Sequence, residues 1–368
     1  MSSETALVDA TIVGAGPVGL AAAIEARRVG LSYALLEKGA LTQAITEYPT
    51  GMVFFTTAEL LEIGGYPFTI AQVKPNRQEA LAYYRKVAEA EGLVVRQRHE
   101  VREVRREGDR FVVTGVARSG LEAARCAHLA NLESVPEAGG APFEVRSRGV
   151  AIATGYFSTP VLMGVPGESL AQHYYTEAHP YWNRDVVVIG GGNSAAEAAL
   201  DLYRHGARVT LVVRGEGMKP TVKYWVKPDV ENRIEEGAIR ARFATRVSEV
   251  KPDGVVIVGP DGQEFLRAEV VFALTGFRPD VGLLQRAGVA IRDDLTAQLD
   301  PDTCETNVPG LYTLGSAAAG VHTGKVFIEN GRVHAVRAMR HLARRLGRLT
   351  PDGDAPEAPR PLAGELGD

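Results

Sequence analysis

Cysteine is scarce in this chain. Only Cys126 and Cys304 occur among its 368 residues, and they form no C-x-x-C pair. A disulfide scaffold, a structural zinc site made of paired thiols and a dithiol redox motif are therefore excluded within this sequence. We predict no metal site.

An excess of charge of either sign is also lacking. Lys and Arg number 41 against 45 Asp and Glu, a net charge of −4, which predicts neither a nucleic acid nor a membrane surface as partner. The N-terminus lacks the basic stretch of a secretory signal. The apolar residues 10–24 are too few for a membrane span and are interrupted by glycine and proline. We expect a cytoplasmic protein of two to three domains at about 150 residues per domain.

Glycine, in contrast, is abundant, with 40 residues. An apolar run over Asp9–Val13 predicts a buried strand, and it leads into Gly-Ala-Gly-Pro-Val-Gly at 14–19 and then a helix-forming run. A second strand, Tyr33–Leu36, ends at Glu37. This order of elements is typical of a dinucleotide-binding βαβ unit.

The three glycines of this turn have distinct predicted roles. Gly14 makes the tight turn, Gly16 allows the backbone to approach a pyrophosphate, and Gly19 allows close packing of helix and strand. The helix N-terminus presents N–H groups to the phosphates. Glu37, 23 residues after Gly14, is placed to accept hydrogen bonds from ribose hydroxyls.

The same pattern returns later in the chain. A strand over Asp185–Ile189 leads into Gly-Gly-Gly-Asn-Ser-Ala at 190–195, and a helix and the strand Arg208–Val213 follow. This second unit ends in Arg214 where the first has Glu37. A guanidinium pairs with a 2′-phosphate that a carboxylate would repel, so the second unit is predicted to bind NADP(H). Hydride transfer from NADPH to a bound flavin explains two such sites in one chain.

Other segments support a flavoprotein with two dinucleotides. Lys219 and Lys223 follow Arg214 and either add charge near the 2′-phosphate or belong to a solvated loop. Strand-to-glycine turns recur at 149–155, 272–280 and 306–316.

Four segments carry a resemblance that general dinucleotide binding does not require. They are Glu-Tyr-Pro-Thr-Gly-Met-Val-Phe-Phe at 47–55, residues 74–85, residues 173–181 and Phe-Ile-Glu-Asn-Gly-Arg at 327–332. Over residues 5–345 the chain resembles the thioredoxin-reductase-like flavoproteins, and more closely the YpdA-type bacillithiol disulfide reductases.

The resemblance implies an α/β fold with two Rossmann-like domains, the NADPH domain being inserted in the FAD domain, and a homodimer. The predicted boundaries are 1–162 and 283–347 for the FAD domain, 163–282 for the NADPH domain and 348–368 for a disordered tail. The predicted cofactor-binding residues are Gly14, Gly16, Pro17, Val18, Gly19, Glu37, Lys38, Tyr48, Thr50, Phe54, Val101, Ala153, Thr154, Gly155, Gly315 and Ser316 for FAD, and Gly190, Gly192, Asn193, Ser194, Ala195, Arg214 and Lys223 for NADPH.

The chain departs from these relatives at thiol positions. Thioredoxin reductases carry a C-x-x-C in the interval that is 173–183 here, and many YpdA-type proteins have a cysteine where this chain has Val18. We predict that Cys126, in an insertion over 117–147, and Cys304 are redox-inert. Ser316 replaces the aspartate that usually holds the ribityl chain.

The resemblance implies that the chain passes hydride from NADPH to FAD and on to an acceptor, expected to be a low-molecular-weight disulfide such as bacillithiol disulfide. His173 and His179 are the candidate acid–base residues, because imidazole titrates near neutral pH. A ferredoxin- or flavodoxin-NADP reductase and an NADPH oxidase or redox sensor remain alternatives. A flavin monooxygenase is disfavoured, because Gly167 and His173 do not have the spacing of its signature.

Overall fold

The computed structural model describes residues 7–126, 128 and 140–349. The chain divides into two compact units. The first comprises Met1–Thr46, Gly51–Thr159 and Arg278–Asp368, and the second comprises Glu47–Thr50 and Pro160–Phe277. Residues 350–368 of the predicted tail lie outside the described residues, as do residues 127 and 129–139 of the predicted insertion. The domain boundaries predicted from the sequence stay predictions.

The first unit is built on a seven-stranded sheet. Its strands are β1 (Val8–Val13), β2 (Tyr33–Leu36), β3 (Val95–Arg96), β4 (His99–Glu107), β5 (Arg110–Ala117), β6 (Ala141–Ile152) and β14 (Leu311–Thr313). Their order is β3-β2-β1-β6-β5-β4, and β14 also pairs with β6. The apolar strands β1, β2, β6 and β14 run parallel, whereas β4 and β5 form antiparallel pairs. Parallel strands of this kind are buried on both faces, which explains their continuous apolar runs.

The first unit also contains six α-helices in its described residues. They are α1 (Pro17–Arg28), α2 (Gln43–Thr46), α3 (Arg77–Ala90), α4 (Gly120–Arg125), α7 (Val281–Arg286) and α8 (Ile328–Arg345). The helix predicted from Leu20 begins three residues earlier, because Pro17 suits the first helical position, where no N–H is needed. Helices α1 and α8 are joined by an ion pair between Glu25 Oε1 and Arg340 Nε at 2.6 Å. No helix in the described ranges is both long and apolar enough to cross a membrane.

The second unit has a four-stranded parallel sheet and an antiparallel one. The parallel strands β7 (Asp185–Ile189), β8 (Arg208–Val212), β9 (Arg240–Arg242) and β13 (Val270–Ala273) lie in the order β13-β7-β8-β9. The antiparallel strands are β10 (Arg246–Lys251), β11 (Gly254–Gly259) and β12 (Gly262–Arg267). Helix α5 (Asn193–Arg204) follows β7, and α6 (Lys227–Glu235) follows β8. Helix α5 begins inside the glycine-rich turn rather than at Ala196, so the turn itself forms its first residues.

Candidate functional site

The carboxyl ends of four parallel strands meet in the first unit. Strand β1 is followed directly by Gly14, β2 by Glu37 and β6 by Ala153, and Gly315 comes two residues after the end of β14. Backbone hydrogen bonds join these ends: Gly14 N donates to Leu36 O at 2.7 Å, and Ala153 N donates to Val13 O at 2.8 Å. Ligands of α/β folds bind at this edge of the sheet.

The three glycines of the first turn serve different purposes. Gly14 has φ +101°, and a Cβ there would lie 2.5 Å from Ala153 O. A Cβ on Gly19 would overlap the Gly14 carbonyl oxygen. At Gly16 no heavy atom lies within 4 Å of an added Cβ, and its φ of −72° suits any residue. The protein's own packing therefore does not require glycine at position 16, whereas a pyrophosphate against the N-terminus of α1 would.

Glu37 organises this turn from the end of β2. Its Oε2 accepts a hydrogen bond from Ala15 N at 2.7 Å, and its Oε1 accepts one from Gly39 N at 2.8 Å. Burial raises the pKa of Glu37, while the two N–H donors oppose that shift. A carboxylate has about four lone-pair sites, so Glu37 can still accept from ribose hydroxyls while holding the turn.

Val18 lies where the glycine-rich segments of the first unit converge. An added Cβ would lie 3.0 Å from its Cγ2 both at Gly315, after β14, and at Gly331, in α8. A Cβ at Gly155 would lie 3.6 Å from Ser316 Oγ. The structure thus brings together predicted residues from three separate stretches of sequence.

A histidine that the sequence reasoning missed also contacts this region. His334, on α8, accepts a hydrogen bond at Nδ1 from Gly315 N at 3.2 Å. Burial lowers the pKa of His334, which favours the neutral ring that this contact requires. Nothing in the local sequence signals this role, because the contact depends on α8 packing against the turn after β14.

The remaining predicted residues of the FAD site are spread more widely. Pro17 begins α1, Lys38 follows Glu37, and Val101 pairs with Gly115 of β5. Phe54 is buried in the first unit, and Thr154 follows Ala153. Tyr48 and Thr50 belong to the second unit, where Thr50 N and Oγ1 both donate to Thr176 O, at 2.8 and 3.1 Å. Their role in binding FAD stays a prediction.

The second unit repeats the geometry of the first turn. Gly190 has φ +144°, and a Cβ there would overlap Leu274 O and lie 3.1 Å from the Cβ of Ala195. An added Cβ on Gly192 has no heavy atom within 4 Å. Asn193 and Ser194 form the first turn of α5, and Arg214 is exposed just beyond β8. This arrangement fits a second dinucleotide whose ribose faces Arg214.

Three further predicted residues, Lys223, His173 and His179, lie in the second unit in different surroundings. Lys223 Nζ donates to Glu197 Oε1 at 2.6 Å, so its predicted contact with NADPH stays a prediction. His173 is half-buried, with Nε2 3.9 Å from Glu168 Oε1, and its Nδ1 has no hydrogen-bond partner in the described ranges. His179 is exposed and begins a short 3-10 turn.

Both cysteines of the chain are buried. Neither Cys126 nor Cys304 forms a disulfide within the described residues. Burial raises the pKa of Cys304 to about 11, so its thiolate is rare at neutral pH. That Cys126 and Cys304 are redox-inert stays a prediction.

Comparison with known proteins identifies the family. The family described as "Pyridine nucleotide-disulphide oxidoreductase" matches residues 11–125 and 141–315. The chain belongs to this family. The prediction of an α/β fold with two Rossmann-like dinucleotide-binding folds is confirmed, and FAD and NAD(P)H are its cofactors. The chain is an NADPH-dependent flavoprotein oxidoreductase.

Three relatives within this family match along nearly the whole chain. "Bacilliredoxin reductase Bdr" of Bacillus subtilis is 37% identical, covering 91% of this chain and 98% of the relative. The structure of "Bacillithiol Disulfide Reductase Bdr (YpdA)" from Bacillus cereus has a TM-score of 0.85 at 35% identity, covering 92% and 100% of the two chains. Its Staphylococcus aureus counterpart has a TM-score of 0.81 at 32% identity, covering 92% and 98%. The resemblance to the YpdA-type reductases is confirmed.

Proposed function

We propose that this chain reduces a low-molecular-weight disulfide, bacillithiol disulfide, with electrons that pass from NADPH through FAD. The observation that carries this proposal is a similarity that extends over at least 91% of the chain. The relatives concerned are named as reductases of bacillithiol disulfide or of bacilliredoxin. The net reaction consumes one disulfide, one NADPH and one proton and yields two thiols and NADP⁺.

The chain's own residues position the cofactors for this reaction. The N–H groups at the start of α1, beside Gly16, would hold the FAD pyrophosphate, and Glu37 the ribose. Gly315 and Ser316 would contact the ribityl chain. The start of α5, beside Gly192, would hold the NADPH pyrophosphate. Bound FAD supplies the hydride acceptor, while the protein supplies orientation and electrostatics.

A proton donor is needed when the disulfide is cleaved. Of the two predicted histidines, His173 is the better supported, because its ring is half-buried near the carboxylate of Glu168. That carboxylate accepts from Met163 N and Gly164 N, both at 2.7 Å, which fixes its position beside the ring. We propose that His173 donates the proton to the leaving thiolate, with His179 as the second candidate.

Two further proposals follow from the resemblance. The first is that the protein forms a homodimer, which light scattering after size-exclusion chromatography tests. The second is that it works in the cytoplasm, where a chain with two cysteines in 368 residues needs no oxidative folding.

Rapid mixing of the flavoprotein with NADPH, followed by addition of acceptors, tests the proposed function. The flavin absorbance should bleach with NADPH, and bacillithiol disulfide should restore it with two thiols released per NADPH consumed. Oxygen and reducible ferredoxin serve as comparison acceptors. Reoxidation by ferredoxin or oxygen at the rate of the disulfide reaction, without thiol release, would reject the disulfide proposal and favour a ferredoxin-NADP reductase or an oxidase.

A further inference from the structure

The loop of residues 214–226, between β8 and α6, presents two aromatic rings to solvent. Tyr224 is 82% exposed and Trp225 is 46% exposed, and their ring centroids lie 4.8 Å apart at 88°. The aliphatic residues of the same loop are buried in the core of the second unit. They are Met218, Val222 and Val226. The loop is therefore anchored by its aliphatic side chains, and its aromatic pair is held outside the core.

Hydrogen bonds join this loop to the second glycine-rich turn. Lys219 N donates to Gly191 O at 2.9 Å. Asn193, the first residue of α5, accepts at Oδ1 from Lys223 N at 2.9 Å and donates from Nδ2 to Thr221 O at 3.2 Å. The backbone next to the aromatic pair thus lies beside the helix N-terminus that fits a pyrophosphate.

Three cationic residues and one carboxylate, Glu216, share the loop with the aromatic pair. Lys223 Nζ lies 5.7 Å from the centroid of the Trp225 ring while it is bonded to Glu197. Arg214 and Lys219 are exposed on the same loop. A planar base joined to a phosphorylated ribose matches this combination of an aromatic surface and cations.

The position of the loop selects one half of the dinucleotide. Arg214 follows β8, and in a βαβ unit the residue after the second strand faces the ribose of the adenosine half. The loop starts at that residue and returns to Asn193 through Thr221 and Lys223, and the aromatic pair follows Lys223 directly. We propose that Trp225, with Tyr224 packed against it edge-on, stacks on the adenine base of NADPH. This inference rests on the proposed use of NADPH.

The two tryptophans of the chain allow a matched test. Trp182 is 69% exposed and precedes β7, at the opposite edge of the parallel sheet from the glycine-rich turn. In the FAD-loaded enzyme, Trp182→Phe leaves Trp225 as the one tryptophan that fluoresces, and Trp225→Phe leaves Trp182. Adenosine 2′,5′-bisphosphate, which carries no nicotinamide, is titrated against both variants while tryptophan emission is recorded. Its affinity for the variants and the wild type is measured by calorimetry.

We expect saturable quenching of Trp225 emission and unchanged Trp182 emission. Trp225→Leu should weaken binding of the bisphosphate about tenfold, whereas Trp225→Phe, which keeps a stacking ring, should stay within about threefold of wild type. Two results would overturn the stacking of Trp225 on adenine while leaving the proposed use of NADPH intact. One is binding of the bisphosphate to the wild type without a change in Trp225 emission, and the other is quenching of Trp225 by nicotinamide mononucleotide alone. Absence of any bisphosphate binding to the wild type would overturn both.

Discussion

Replacing Gly16 with alanine should weaken FAD binding without unfolding the protein. The added Cβ has no heavy atom within 4 Å, and the backbone at φ −72° and ψ 178° accepts any residue. The apoprotein should lose less than about 1 kcal/mol, the usual scale for a changed helix N-cap. The Cβ would instead occupy the space of the pyrophosphate and lengthen its hydrogen bonds to the backbone. Losing one or two such charge-assisted bonds costs about 3 kcal/mol, or about a hundredfold in Kd.

Gly19→Ala provides the contrasting variant in the same turn. Its Cβ would overlap the carbonyl oxygen of Gly14 and lie 2.9 Å from the carbonyl carbon, and backbone atoms cannot move aside as a side chain can. Overpacking of this kind costs about 1–3 kcal/mol, partly offset by the higher helix propensity of alanine. We therefore expect a lower free energy of unfolding for the apoprotein of Gly19→Ala.

Calorimetric titration of each apoprotein with FAD, together with urea unfolding, separates the two effects. If Gly16→Ala binds FAD as tightly as the wild type, the pyrophosphate does not approach position 16 and the argument fails. Gly192→Ala is the control in the second turn: it should retain FAD and lose NADPH affinity. A variant of Gly192 that lost FAD instead would show that the two turns are assigned in reverse.

Three other predictions concern the side chains of Arg214, the two cysteines and His334. Arg214→Ala should raise the KM for NADPH far more than the KM for NADH, because only NADPH carries the 2′-phosphate, and equal effects would refute the assignment. Replacing both Cys126 and Cys304 with serine should leave turnover with the disulfide unchanged, since burial keeps these thiols from reacting; lost turnover in a folded variant would contradict this. Burial holds the pKa of His334 below its ordinary 6.5, so stability should be complete above that pH and decline as pH falls below it. His334→Leu should remove that part of the pH dependence in urea unfolding, and an unchanged profile would refute it.

The strands and turns of the two dinucleotide-binding units could be predicted from the sequence, because they depend on residues that are neighbours in the chain. The strands Tyr33–Leu36 and Asp185–Ile189 were predicted with the bounds that the structure has, since each is a short apolar run with a polar residue or a glycine directly after it. The helix starts were placed three residues late, because residues inside a glycine-rich turn have low helix propensity although they begin the helix. The contact of His334 with Gly315 was missed, because it joins positions that only the packing of α8 brings together.

The same packing bears on how the acceptor is reduced. Val18 stands where the resemblance to the YpdA-type proteins leads us to expect a cysteine, and its Cγ2 would lie 3.0 Å from a Cβ added at Gly315 or at Gly331. A cysteine is smaller than valine, so the surrounding glycines would accept either residue without rearrangement, and the fold does not force the choice. Disulfide exchange through a protein thiol needs an accessible thiolate, and both existing cysteines are buried. We therefore expect disulfide reduction by this chain to proceed without a mixed disulfide to Cys126 or Cys304. The release of two thiols per NADPH consumed would distinguish disulfide reduction from electron transfer to another acceptor.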